Sequence, residues 1–355
     1  MSLVENVASA DRAVPARETG FAERTGIDAA RLTGCVDLSG LLADAGEGDG
    51  LPHQVYLTLR QARIEGHTHY VTSLDPAHTQ RVTLLGAHPI RGAEAADAMH
   101  GAIDEAMLRC FEALSPELRE AVGGAGFVEE TRAVVMAAAK RFADNPFWHA
   151  GRDGSLTQAQ YIHSLANHHH FVRYTMRMIG LAIGACEDLA LRAHFAHHLS
   201  EEVNHEVWLE QDLAYLDADV EYVKHLMVPD APIMKFNFVQ EALISFRRDP
   251  VLFLGVPVAI EGASAFMPME AIEAIRECIR SWGYERPKRG TRFLARHIVT
   301  DGGTDDHDGH WDGVLKMIQE YVRTERQHQQ ILRVARLDFE ALEAAYAGYV
   351  AGPAL

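Results

Sequence analysis

The chain is short of positive charge, of paired cysteines and of long apolar runs. Its 33 Lys and Arg stand against 50 Asp and Glu, a formal net charge of -17. That balance argues against nucleic acid or an anionic membrane surface as a partner. The four cysteines, Cys35, Cys110, Cys186 and Cys278, are scattered and form no CxxC pair. They read as reduced thiols, with no thiolate-rich zinc site. No apolar run reaches the roughly 20 residues that a membrane span needs, and the N-terminus has no basic-then-apolar leader pattern. The expectation is a cytoplasmic protein whose partner is a small molecule.

What the chain has instead is histidine and helix. The 20 histidines cluster internally, and 48% of the 355 residues are apolar, enough for one large domain or two ordinary ones. Residues 1 to about 50 carry weak periodicity and read as loops and short helices. From His53 to Pro89, Val55–Leu59, Thr68–Thr72 and Arg81–Leu85 alternate and are β-branched, which predicts two or three antiparallel strands. From Ala93 onward the reading is helical, beginning with the three-four spacing of apolar residues in Ala98–Phe111. Thr157 is a predicted N-cap for a long helix from Gln158 to about Cys186. Further helices are expected at about 188–216, 234–247, 250–266, 268–282, 287–300 and 307–348. The domain reading is an N-terminal α+β domain over 1–125 and a mainly α domain of roughly seven helices over 140–350.

Three segments carry metal-ligand chemistry. In His197–Glu206, Glu201 and Glu202 lie four and three residues before His205, so either acid shares a helical face with it. Glu261 is a lone acid inside an apolar run, a setting that is unfavourable unless the charge is paired or metal-bound. His297 and Asp301 are one helical turn apart, followed by His307 and His310 beyond Gly302-Gly303. Carboxylates and imidazoles on separate helices of a bundle are a recurring ligand set for non-heme iron and manganese. Each segment also has a plain reading. An ExxH pair is equally a solvated helix face, a lone Glu pairs with a buried Arg or caps a helix, and Asp301–Asp306 resembles a polar turn.

At these residues the chain resembles the heme-oxygenase-like diiron oxidases and oxygenases, relatives of pyrroloquinoline quinone synthase and thiaminase II. The resemblance covers about residues 140 to 345. It rests on Asn145–Trp148 with Gly154–Gln160, on Arg192–Glu206, on Ala259–Ser264 and on His297 and Asp301 as the start of an HxxxDxxH motif. It implies a heme-oxygenase-like seven-helix bundle, mainly α, with an N-terminal α+β extension carrying a small antiparallel sheet. It also implies two irons per chain, cycling between Fe(II) and Fe(III), with dioxygen as co-substrate. By that resemblance the ligands are Glu202, His205, Glu261, His297 and Asp301. The motif's last histidine falls on Thr304; His307 supplies it if three residues are inserted around Gly302-Gly303, and His310 is the competitor. Some relatives place a further ligand on the helix that here carries His168, His169 and His170.

An N-terminal domain of this size resembles the arrangement in the N-oxygenating members. It implies oxidation of a small amine (an arylamine, guanidine or aminoazole) to a hydroxylamine, nitroso or nitro compound. The alternatives are desaturation or C–C cleavage of an amino or fatty acid, a thiaminase-like enzyme with a catalytic cysteine, and a non-enzymatic helical metal-binding scaffold. Arg173, Tyr174 and Arg177 on the first core helix, with Phe266 and Met267 beside Glu261, are the candidate substrate contacts. The N-terminal strands are expected to serve a homodimer.

Overall fold

The computed structural model describes residues 34–44, 50–73, 84–85, 98–247, 249–303 and 309–351. It divides into two compact units, Met1–Val122 and Gly123–Leu355. In the first, β1 (Cys35–Asp37), α1 (Ser39–Asp44), α2 (Leu51–Ile64), β2 (His69–Ser73) and β3 (Ala98–Ala102) precede α3 (Ile103–Ala113) and α4 (Pro116–Val122). The sheet is mixed, not antiparallel: β1 pairs parallel with β2, Cys35 facing His69, and β2 pairs antiparallel with β3, His69 facing Ala102. A parallel pair needs a crossover, and the helices between β1 and β2 supply it.

Two sequence expectations are corrected here. Val55–Leu59 is helix rather than strand, because Val55, Tyr56, Leu59 and Ala62 make one buried helical face and Pro52 starts the helix. Ala98–Ala102 is strand rather than the first turns of a helix, which begins at Ile103. The expected strand Arg81–Leu85 falls largely outside the described residues.

The second unit is helical. It runs through α5 (Gly124–Ala143), α6 (Pro146–Asp153), α7 (Gln158–Ala185), α8 (Leu189–Glu202), α9 (His205–Tyr215), α10 (Val220–His225) and α11 (Ala231–Ala242). After a π turn at Leu243–Arg247 and a 3-10 turn at Pro250–Leu254 come α12 (Gly255–Ala265) and α13 (Met269–Ser281). A 3-10 turn at Pro287–Gly290 then leads to α14 (Arg292–Gly302), α15 (His310–Tyr321) and α16 (Glu325–Ala351). Thr157 caps α7 through a full capping box with Gln160. The helix expected over 188–216 is broken at Val203-Asn204, and the one expected over 307–348 is broken before Glu325.

Helix α12 is the centre of this unit, packed against α5, α14, α15 and α16. Its glycines allow that crowding. A Cβ on Gly262 would stand 2.3 Å from Val135 Cγ1, and one on Gly255 would stand 2.6 Å from Val334 Cβ. Among the described residues no single helix is long and apolar enough to cross a membrane. All four cysteines are buried, and none forms a disulfide among the described residues.

Asp338 on α16 is fully buried, and neither carboxyl oxygen has a hydrogen-bond partner among the described residues. Burial pushes its carboxyl well above the ordinary range, and only the charge of Lys235 opposes this. An acid whose pKa is raised on folding holds a proton that the unfolded chain releases, so it weakens the fold as pH rises above its unfolded pKa, about 4. Asp338→Asn is therefore expected to stabilise the protein at pH 8 by about 1–2 kcal/mol, with the gain vanishing below about pH 4. Urea denaturation at both pH values checks this; a gain of equal size at both would contradict it.

Candidate metal centre

The break in the second core helix builds the site. Helix α8 ends at Glu202, Asn204 takes a left-handed turn at φ 74°, and α9 opens at His205. Asn is among the few non-glycine residues that tolerate this conformation. Glu202 and His205 therefore meet across a tight turn rather than along one helical face. Glu202 Oε2 lies 2.6 Å from His205 Nδ1.

His297 comes from α14 and completes a triad, its Nε2 lying 3.1 Å from His205 Nδ1. One ligating atom from each of Glu202, His205 and His297 falls within 4.8 Å of the other two. The His297 ring is oriented by its own helix: Nδ1 donates to the Phe293 carbonyl at 2.9 Å, which leaves the Nε2 lone pair facing the triad. The His205 ring stacks on Trp208 with centroids 4.2 Å apart, and the Arg296 guanidinium sits 4.4 Å over the other aromatic system, the Trp208 ring.

A residue the sequence reading passed over ties these helices together. Asp212, two turns beyond His205 on α9, is fully buried and accepts the Phe293 backbone N–H at 3.0 Å. It thereby caps the start of α14 from a neighbouring helix, where a carboxylate also meets the positive end of the helix dipole. Burial still raises its carboxyl to about 7, against the backbone hydrogen bonds of Phe293 and Arg292.

Beside the triad lies a second group. Glu261 on α12 is buried, with His198 Nε2 at 3.4 Å from its Oε1. Asp301 is also buried, and His310 places Nδ1 3.2 Å from Asp301 Oδ1 and Nε2 3.7 Å from Glu201 Oε1. Gly309 makes this return possible, because a Cβ there would stand 2.2 Å from the Asp301 carbonyl oxygen. His307 lies outside the described residues. His198, one turn before Glu202 on α8, was also passed over; its i,i+4 spacing to an acid was the available signal.

The charges show what the cluster lacks. Burial raises the Glu261 carboxyl well above its ordinary range, and the acids Asp301, Glu202 and Glu201 raise it further. Burial also works to raise Glu202, but the hydrogen bond with His205 and the imidazoles of His297, His205 and His198 overcome it and bring that carboxyl down to about 2. Asp301 raises His310, while burial lowers His198. Both oxygens of Glu261 and both of Asp301 are buried without a hydrogen-bond partner among the described residues. No Lys or Arg stands among the described residues lining this cavity. Buried acids with imidazoles and no organic cation fit a bound metal cation, whose charge would answer theirs.

The cluster opens into a cavity with Glu202, Glu261, His297 and Asp301 on its lining. Of the expected substrate contacts, Met267 lines it, whereas Arg173, Tyr174, Arg177 and Phe266 do not. Arg173 instead donates to the Lys224 carbonyl, Tyr174 to Glu241, and Phe266 packs on Trp311. Thr175 and Met176 are the residues of that stretch of α7 that face the cavity. His168 is on the cavity wall, His169 pairs with Glu210 at 3.2 Å, and neither joins the triad.

The solved structures that share this architecture include the following two. One is a domain of unknown function with a heme oxygenase-like fold from Shewanella denitrificans OS217, with a TM-score of 0.51 and 19% identity over 61% of this chain and 89% of that one. The other is a TenA homolog from Pseudomonas syringae pv. tomato DC3000, with a TM-score of 0.53 and 12% identity over 67% of this chain and 98% of that one. No family model matches the chain, and no curated protein does. At these identities the likeness bears on fold alone: the chain has a heme-oxygenase-like fold, with a possible metal site formed by Glu202, His205 and His297.

Proposed function

We propose that this chain is a non-heme diiron oxygenase that uses dioxygen to oxidise the nitrogen of a small amine. The observation that carries the reading is the convergence of Glu202, His205 and His297 beside the buried acids Glu261 and Asp301, which only imidazoles approach among the described cationic side chains lining the cavity. In this reading the triad and Glu261 hold one iron. Asp301, with His310 in place of the motif's last histidine, would hold the other. Iron(II) held by such mixed oxygen and nitrogen ligands would supply the electrons for reducing dioxygen. The residues around it do the rest. Phe293 and Asp212 fix the direction of His297, the Trp208–Arg296 stack fixes His205, and the apolar walls keep bulk water from the reacting atoms.

The cavity supports an enzyme over a scaffold, since a scaffold needs no enclosed space ending on its metal ligands. A thiaminase-like reading finds no support in the lining, which holds no cysteine among the described residues; Cys278 donates to the Gly151 carbonyl. The lack of Lys or Arg in the lining among the described residues supports an amine over a carboxylic acid, which would find no guanidinium or ammonium there. The test is oxygen uptake by the Fe(II)-loaded chain against a panel of amines and amino or fatty acids. The expected result is uptake that requires an amine and yields a product oxygenated on nitrogen. Uptake supported only by the acids, or products oxidised only on carbon, would overturn it.

A further inference from the structure

The cavity wall carries information about the substrate beyond its reacting nitrogen. Aromatic rings form much of it, among them Phe142, Trp148, Phe171, Phe253 and Phe293. Its acids and imidazoles are concentrated in the metal cluster. Of the polar groups elsewhere on the wall, Trp148 Nε1 is buried without a hydrogen-bond partner among the described residues, whereas His168, Tyr346 and Thr175 are engaged. His168 Nδ1 donates to the Ser164 carbonyl at 3.2 Å, so its Nε2 accepts from the Tyr346 hydroxyl at 3.0 Å. Burial lowers the His168 imidazole to about 4, which keeps it neutral. The Thr175 hydroxyl accepts from Gln240 Nε2 at 2.9 Å. No Lys or Arg stands on the wall among the described residues, and Ser264 is its remaining hydroxyl.

We infer that this cavity takes an amine with an apolar body, aromatic or alkyl-aromatic, and no second charged or strongly polar group. The amine comes from the function proposed above, and the apolar body comes from the wall. A guanidine, an aminoazole with several ring nitrogens, or an amine bearing a carboxylate would bury more polar atoms than the Trp148 N–H and the Ser264 hydroxyl can satisfy, against rings that replace none of their lost water. An apolar body gains from every methylene it buries, and flat rings suit an aromatic-lined slot.

The experiment is anaerobic calorimetric titration of the Fe(II)-loaded full chain with aniline, 4-methylaniline, 4-ethylaniline and 4-propylaniline, alongside 4-aminobenzoate and 4-aminobenzamidine. Kd is expected to fall about three- to fourfold per added carbon until the cavity is full. The charged pair is expected to bind at least about tenfold more weakly than 4-ethylaniline. A flat alkyl series, or 4-aminobenzoate binding as tightly as 4-ethylaniline, would overturn the inference. The same titrations on Glu202→Gln separate this from failure of the metal reading. If the wall reads the body, the dependence on chain length persists in a protein that has lost iron. If iron binds to the wild-type chain and the dependence is absent, the inference alone falls.

Discussion

Replacing Glu261 with methionine will stabilise the protein without metal and take away most of the stabilisation that metal brings. In the metal-free chain this carboxyl is buried, makes no hydrogen bond among the described residues, has only the neutral-leaning His198 imidazole at 3.4 Å, and is faced by Asp301, Glu202 and Glu201. An apolar side chain of similar volume removes the desolvation and the repulsion together, an exchange worth about 1–4 kcal/mol at buried charges. For a unit of this size each kcal/mol moves the melting temperature by roughly 2–4 °C. The sign with pH follows from the raised carboxyl. The folded state of the wild type holds a proton that the unfolded state gives up, so the wild type loses stability as pH rises above the unfolded Glu value of about 4.3. The advantage of Glu261→Met in chelator should therefore be larger at pH 8 than at pH 5. With metal the order changes, because a ligand that binds only the folded state adds about 2.7 kcal/mol at a hundred times its Kd, and the variant forgoes much of that. Thermal melts in chelator and in anaerobic Fe(II) check both halves. A variant less stable than wild type in chelator would mean that Glu261 has a stabilising partner.

The second large effect is at Glu202. It is the acid common to both parts of the cluster: it touches His205, and its charge is felt by Glu261, His198 and His310. Loss of a group that merely orients a metal ligand costs about 10- to 100-fold in metal affinity, so loss of a ligand should exceed about 100-fold. Glu202→Ala is expected to purify with little iron and to show no amine-dependent oxygen uptake. Its far-ultraviolet circular dichroism should match wild type, because Glu202 ends α8 and supports no packing core. Equilibrium dialysis against Fe(II) reads the affinity. Wild-type affinity in Glu202→Ala would remove this residue from the site.

Much of this architecture was legible in the sequence, and the misses have physical causes. The helices of the second unit announce themselves through caps and period, as Thr157 and Gln160 do for α7. The acids and imidazoles stood out because few reasons place Glu261 in Val256–Ile260 and its surroundings. The first unit misled because Val55–Leu59 is locally both alternating and β-branched; only the longer window to Ala62 reveals the helical face. Ala98–Ala102 becomes strand through pairing with β2, a contact that its own spacing cannot encode.

The site itself was legible as a set of residues but not as a geometry. An acid three residues before a histidine has the same spacing in a continuous helix and across the turn at Asn204, and a left-handed Asn leaves no period to detect. Asp212 and His198 act through neighbours on other helices, on Phe293 and Glu261, so their roles appear only once those helices pack. On α7, Thr175 and Met176 look into the cavity, while Arg173 and Tyr174, singled out in the sequence, are held by Lys224 and Glu241.

Fe(II) binding by the wild-type chain and by His297→Ala, titrated anaerobically and counted as iron retained per chain, tests the central claim most directly. The account predicts saturation near roughly two irons in wild type. It also predicts at most about one, held more weakly, when the Nε2 beside His205 is gone. No saturable iron in the wild type, or the same stoichiometry and affinity in both proteins, would contradict it.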